Sequence, residues 1–507
     1  MVGSGIDDDA GASALASLVH EVIRMRYLGS ADDAKDRSLC RFSLPDLAAS
    51  LGWRRSDAAC QVAEKRSVVV VGGGVMGLSA SRALANVKSG RCASVTLIDA
   101  GHANRSSWGD ARNTQLGGIS QEYAALVRYS WDVYKRYGAL WPTNALRILP
   151  KKDETIKAAF ERAGATCAWV SPADIRAMYD GRVNVKEGEF CLWSNRSAVI
   201  HASKVLEKLR EDIEGRVTIV EDDVVEIDRA KKIVTTSNGT TVSYDDLIIT
   251  AGPWTNSVLA CAGLRILPIA ASNEQKIHYM PEKDEKDHYS IGNIPTILRV
   301  YRSKHAPSHI INCYSLPIIP HQTGGFIASA HGEGNFLNRK GEFLVPEDAM
   351  KRVLEGKSRF GLLSHHKPGK VFWKHRSGSM DKWGEALTDE YVEQTLPRAS
   401  VGPSSHFLIK RCLYTMNLVD SDFVVGRHPD DASVLCATGF NGEGFKFAPG
   451  VGLMLCRIIF PSLCAGDDDP AALPHHDSMV RKFDPARLFD ADHIAKSAES
   501  WRSDGMR

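Results

Sequence analysis

No apolar run in this chain approaches the roughly 20 residues that a membrane-crossing helix needs, so no transmembrane segment is expected. Neither sign of charge is in excess. A formal net charge of +2 over 507 residues leaves no bulk electrostatic case for nucleic acid or for a membrane surface. The eleven cysteines form no repeated CxxC and no zinc-type spacing, which reads as reduced thiols in an intracellular protein rather than a disulfide scaffold. The histidine pairs at 365–366 and 475–476 have no accompanying carboxylate spacing, so no metal site is expected. There is no visible internal repeat. Early aspartates at 7–9 argue against a secretory or mitochondrial leader, and the C-terminal Gly505-Met506-Arg507 is not a Ser-Lys-Leu-type address. An intracellular soluble protein, cytoplasmic rather than peroxisomal, is the expectation.

What is present is ordinary in bulk, with 43% hydrophobic and 24% charged residues. The length implies two or three domains. Ala14, Leu15, Leu18, Val19, Val22 and Ile23 recur at helical spacing within a front extension, 1–66, that is helical or partly disordered. Ser67–Val71 is a continuous β-branched run, as in a strand buried on both faces. A helix follows at 75–88, a second buried strand at Ser94–Asp99 and a long helix at 120–137. Further on, 201–213 reads as a helix. Val217–Ile227 and Lys232–Val242 read as strand pieces with an Asn238-Gly239 turn, and Asp246–Thr250 as another buried strand. Many short strand candidates broken by proline and glycine fill 263–407, which suggests a largely antiparallel sheet. The stretch past 465, rich in Asp, Pro and His, reads as irregular.

Chemistry concentrates in two places. Gly72-Gly73-Gly74-Val75-Met76-Gly77 fits GxGxxG between a strand and a helix. Gly72 permits the tight turn, Gly74 lets backbone approach a pyrophosphate, and Gly77 lets helix pack on strand. Asp99, with Ala100 after it, closes the next strand, where a carboxylate can accept both ribose hydroxyls and disfavours a 2′-phosphate. The fingerprint alone does not separate FAD from NAD. Val224, placed to hold an adenine edge, and the returning segment Tyr244–Trp254 point toward a flavoprotein. The second place is Leu408–Gly452, where Cys412 follows Lys410 and Arg411 and a glycine-spaced turn ends in Phe445-Lys446-Phe447.

Together with SSWGDARN at 106–113 and AGPWT at 251–255, these segments resemble, in order and spacing, the sarcosine oxidase and pipecolate oxidase branch of the D-amino-acid-oxidase-like flavoproteins. The resemblance spans most of 67–460. It implies an α/β fold: a Rossmann-like FAD-binding domain from 67–115, 198–262 and 408–465, a mixed or antiparallel substrate domain from 116–197 and 263–407, and a tail from 466. It implies FAD, held covalently through Cys412 and contacted also by Ser107, Trp108, Gly442, Gly444 and Phe445. Arg112 would lie over the isoalloxazine ring, Lys446 would hold the substrate carboxylate, and Tyr314, Tyr414 and His331 would line the substrate cavity. A monomer acting on a small amino acid is expected.

The chain departs from the family in three ways. Gln115 stands where the family has a second carboxylate-binding arginine, three positions past the flavin arginine. Ile327 stands where the oxidases carry an oxygen-activating lysine. That leaves two readings: a different electron acceptor, or another lysine, such as Lys276 or Lys340, in its place. Trp108 and Glu443 replace frequent histidines, and Glu443 brings negative charge near the carboxylate region. The implied reaction is oxidation of a secondary or N-substituted amino acid to an imine, with oxygen giving hydrogen peroxide. The alternatives are an amine dehydrogenase with another acceptor and a flavin-binding protein without turnover.

Overall fold

The computed structural model describes residues 65–87, 92–101, 106–116 except 108 and 110, 120–331 except 306, 308, 309, 321 and 323, 382–461 and 473–504. The expected extension over 1–66 lies outside these apart from its last two residues, as do Trp108, Lys340 and the histidine pair at 365–366.

The valine run forms the strand Arg66–Val71, and its alternation explains its place at the centre of a sheet. Val68 and Val70 face one apolar cluster with Leu78 and Leu84 of the helix Val75–Ala85. Val69 and Val71 face a second cluster with Leu247 and Ile249. A strand with both faces apolar is stable only when both are covered. Among the described residues this sheet has the order Val424–His428, Asp431–Thr438, Asp246–Ile249, Arg66–Val71, Cys92–Ile98, Thr218–Val220. All its pairs are parallel except the first.

A second sheet orders His406–Asn417, Ile269–Tyr279, Phe326–His331, Ile310–Leu316, Thr296–Arg302, Leu140–Leu149, Phe190–His201 and Ala111–Gln115. It is antiparallel except where Thr296–Arg302 runs parallel to Leu140–Leu149. The register between Ile269–Tyr279 and His406–Asn417 matters most for the site. It sets Ser272 opposite Tyr414, Glu274 opposite Cys412 and Lys276 opposite Lys410. Directly opposed residues share a face, so one face of this ribbon carries a cysteine, a tyrosine and three charged groups.

The long helix forms over Gln121–Arg136 and buries Tyr123, Leu126, Val127 and Tyr134. It also braces the site, because the Tyr134 hydroxyl donates to the Phe445 carbonyl at 2.6 Å. The expected irregular tail is corrected by the structure: His476–Phe483 and Ala491–Asp504 are helices. Met479 and Phe483 are fully buried, and Phe483 stacks on Phe423 with centroids 5.6 Å apart. These apolar anchors, spaced i and i+4, outweigh the polar composition of the segment around them.

Candidate active site

The turn from Arg66–Val71 into Val75–Ala85 is closed by glycine for steric reasons. Gly72 has φ +104°, where a side chain is strained. A β-carbon at Gly77 would lie 1.8 Å from the Gly72 carbonyl oxygen, so helix and strand touch only because it is absent. Gly77→Ala is therefore expected to push the helix off the strand and yield protein with little or no bound flavin. The flavin-to-protein absorbance ratio reads this out, and a parental ratio would contradict it. Gly74 caps the helix without a side-chain cap, and the first turn carries no acid. The positive helix end is thus left for an anion. The Val75 N–H donates to Ser107 Oγ at 2.9 Å, which fixes that loop against the helix.

This turn opens into a cleft lined by Gly72, Gly74, Val75, Met76, Asp99, Ala100, Ser107 and Val224, and by Arg112, Lys276, Cys412, Tyr414, Gly442, Gly444 and Phe445. The first set fits a dinucleotide: a glycine cradle for the pyrophosphate and the Asp99 carboxylate for ribose hydroxyls. Arg210 lies 3.6 Å from that carboxylate. Gly77 lies behind the turn and packs rather than lines.

The second set is cationic. Arg112 donates to the carbonyls of Ala111 and Ser106 at 2.8 and 3.0 Å, with its guanidinium 5.4 Å from the Phe445 ring centre. The Ser106 carbonyl also faces Cys412 Sγ at 3.5 Å, and the Ser106 hydroxyl donates to the Leu413 carbonyl. One loop residue thereby sets both the arginine and the buried thiol. Lys276, 9% exposed, has its ammonium pKa pushed down to about 7. Burial is the main cause, and Arg112 and Lys410 push the same way against Cys412 and Glu274. Glu274 is fully buried beside it and accepts a hydrogen bond from Ser272 at 2.6 Å.

Beside Tyr414, outside the lining of the cleft, stands a group of polar side chains: Tyr314, His331, Glu443 and Lys446. Gly442, φ +80°, lies so close to Tyr414 that a β-carbon would sit 2.1 Å from its ring. The Tyr414 and Tyr314 hydroxyls are hydrogen-bonded to one another. The His331 ring is centred 5.5 Å from Tyr414 and 6.2 Å from Tyr314. Lys446 Nζ pairs with Glu443 at 2.9 Å. Tyr314 and His331 are half-buried, whereas the Glu443 side chain is exposed; we refer to the space they border as the hollow. Burial pushes Tyr314 up to about 12 and lowers His331, so both are neutral near pH 7. Glu443 is raised by burial, but Lys446 and His331 outweigh this and hold it below the usual carboxylate range.

The expected residues thus fall into two adjoining groups: a cleft set and a hollow set of Tyr314, His331 and Lys446, with Tyr414 shared. Ile327 is buried in an apolar cluster with Ala111, Val199, Leu316 and Ile319. Lys276, one of the two alternatives raised for the missing lysine, lines the cleft instead. Gly73 and Thr250 went unrecognised as cleft residues: a β-carbon on Gly73 would strike Asp99 Oδ2 at 2.4 Å. Arg147 also went unrecognised. A lone cation in the apolar half of a strand, ALRIL, was the available signal.

A glycine cradle with a ribose-binding acid, joined to a cationic pocket and a polar hollow, defines a flavin-dependent oxidoreductase. The chain belongs to the FAD dependent oxidoreductase family (DAO), whose model matches residues 67–458. It is 24% identical over 406 residues to the peroxisomal sarcosine oxidase of Mus musculus, covering 77% of this chain and 91% of that protein. It is 26% identical over 413 residues to the monomeric sarcosine oxidase of Bacillus sp. (strain B-0618), with the same two coverages. In fold it is similar to L-proline dehydrogenase from P. horikoshii, with TM-score 0.59 and 18% identity over 84% of this chain and 98% of that one. The fructosamine oxidase Amadoriase II of Aspergillus fumigatus gives TM-score 0.60 and 16% identity, over 85% of this chain and 91% of that one. Among the described residues, no helix is long and apolar enough to cross a membrane.

Proposed function

We propose that this protein oxidises a secondary or N-substituted amino acid to an imine, which water then hydrolyses, and that oxygen takes the electrons to give hydrogen peroxide. The carrying observation is the shared wall at Tyr414, which lines the flavin cleft and is bonded to Tyr314 in the hollow. A substrate in the hollow would lie against the flavin. The named substrates of two of the similar proteins point the same way, since sarcosine and L-proline are both secondary amines. FAD, when bound, accepts the hydride equivalent from the C–H next to nitrogen and passes the electrons on.

The protein's part is to bind, orient and tune. Lys446 holds the substrate carboxylate, Tyr314 and Tyr414 donate as neutral hydroxyls, and neutral His331 adds no charge beside the amine. No strong base is required if the amine enters unprotonated. Arg112 stabilises negative charge on the reduced cofactor. Cys412 Sγ would form a thioether to the 8α-methyl carbon of the flavin, the thiol and one methyl C–H each giving up a proton and the two electrons passing through the flavin to oxygen; its buried place on the cleft wall and Lys410 on the same face of the ribbon support this. Lys276 supplies the cation that oxygen reduction requires. We take the protein to be intracellular and monomeric.

A dehydrogenase with another acceptor is the second reading, favoured by Ile327 at the family's lysine position. Sarcosine, N-methyl amino acids, L-proline and L-pipecolate, offered aerobically, separate the two. One peroxide formed per amine consumed supports the oxidase. Turnover seen only with an added dye supports the dehydrogenase.

A further inference from the structure

Gln115 in place of an arginine strips the hollow of half its carboxylate clamp only when the chain is read in one dimension. Arg147, on the strand Leu140–Leu149, donates from Nη2 to Gln115 Oε1 at 3.2 Å. Its guanidinium lies 5.0 Å from the Phe160 ring centre, which fixes the plane. Its Nε is buried without a hydrogen-bond partner. A buried, unpaired donor on a charged group is costly to leave unmade, so its persistence points to a ligand. Arg147 also keeps accessible surface while protein encloses it, and it feels the charge of Glu443.

We propose that Arg147 is the second carboxylate-binding residue of the substrate site, replacing through space what Gln115 lacks in sequence. Charge balance supports this. Arg147 and Lys446 are cations and Glu443 is the anion already paired with Lys446, while His331 is neutral, so the group carries one net positive charge. A monoanionic substrate carboxylate neutralises it. The Nε–H and a neighbouring N–H offer the side-on, two-point geometry that suits a carboxylate, and Gln115 holds the guanidinium in place. The substrate class narrows accordingly to amines bearing a carboxylate, rather than neutral amines of similar size. This rests on the reading of the hollow as the substrate site.

The test is a binding titration on the flavin-loaded protein, followed by the change in flavin absorption. The probes are pyrrole-2-carboxylate, a flat analogue of a cyclic secondary amino acid that has no oxidisable C–H, and its carboxamide. Arg147→Met is expected to weaken the carboxylate on the order of 10- to 100-fold while leaving the carboxamide nearly unchanged. Arg147→Lys is expected to recover only part of the loss. Gln115→Glu places an internal carboxylate beside Arg147. It is expected to reproduce the selective loss, which decides the matter if Arg147→Met fails to fold. Equal weakening of both probes, or of neither, overturns the proposal. Selective carboxylate binding in a protein whose flavin no amine can reduce would overturn the proposed function and leave Arg147's role standing.

Discussion

Replacing Cys412 with alanine is expected to convert a flavin that stays in an acid precipitate into one that washes entirely into the supernatant. The expectation rests on placement. Cys412 lies on the cleft wall, 6% exposed, with Sγ directed at the Ser106 carbonyl that also receives Arg112. The strand register puts Lys410 on its face. The thiol is the nucleophile of the proposed link. Alanine keeps the strand and removes only the sulfur, so the glycine cradle should still bind flavin reversibly. Flavin already released by acid from the parent protein would remove the covalent link from the account and leave the cofactor assignment in place.

The second large effect concerns Lys276. Lys276→Met is expected to slow reoxidation of the substrate-reduced enzyme by oxygen about 100-fold, the scale for losing one preorganised charge at a reacting centre. The rate of reduction by substrate should change little. Lys276 lines the cleft with Arg112 and Cys412, and methionine keeps much of its volume. The pH dependence has a definite sign. The ammonium has its pKa lowered to about 7 by burial first, then by Arg112 and Lys410. It is charged below that value and neutral above it. The oxygen step should slow as pH rises through that region in the parent and lose this dependence in Lys276→Met. Stopped-flow mixing of reduced enzyme with oxygen measures both. Unchanged reoxidation in the variant would favour the dehydrogenase reading.

Much of this was legible because local signals and tertiary demands agree. The valine run, the glycine turn and Asp99 specify a strand, a crossing and a ribose acid within one short segment, and the structure assembles them as neighbours in the chain. The Asn238-Gly239 turn likewise falls between the short strands Ile233–Thr236 and Thr241–Ser243. What stayed hidden depends on register between distant strands. Lys276 meets Lys410, 134 residues further on, only through antiparallel pairing. Its one local trace is a polar run, Ser272 to Lys276, followed by His278, in which Ser272, Glu274, Gln275, Lys276 and His278 are all buried. Polar groups on a buried strand face need partners, and that pattern marked a site wall rather than a solvent edge. Arg147 meets Gln115 across a strand that lies between theirs in the sheet. The helices past 465 were obscured by composition, since two deeply buried side chains, Met479 and Phe483, decide the packing of His476–Phe483.

The most direct test of the central claim is anaerobic mixing of the flavin-loaded protein with sarcosine, N-methyl amino acids, L-proline and L-pipecolate, followed by the flavin absorption. The account predicts that at least one of these bleaches the flavin fully, and that the corresponding descarboxy amine does not at equal concentration. An oxidised spectrum unchanged by every secondary amino acid, in protein whose flavin dithionite still reduces, would contradict it.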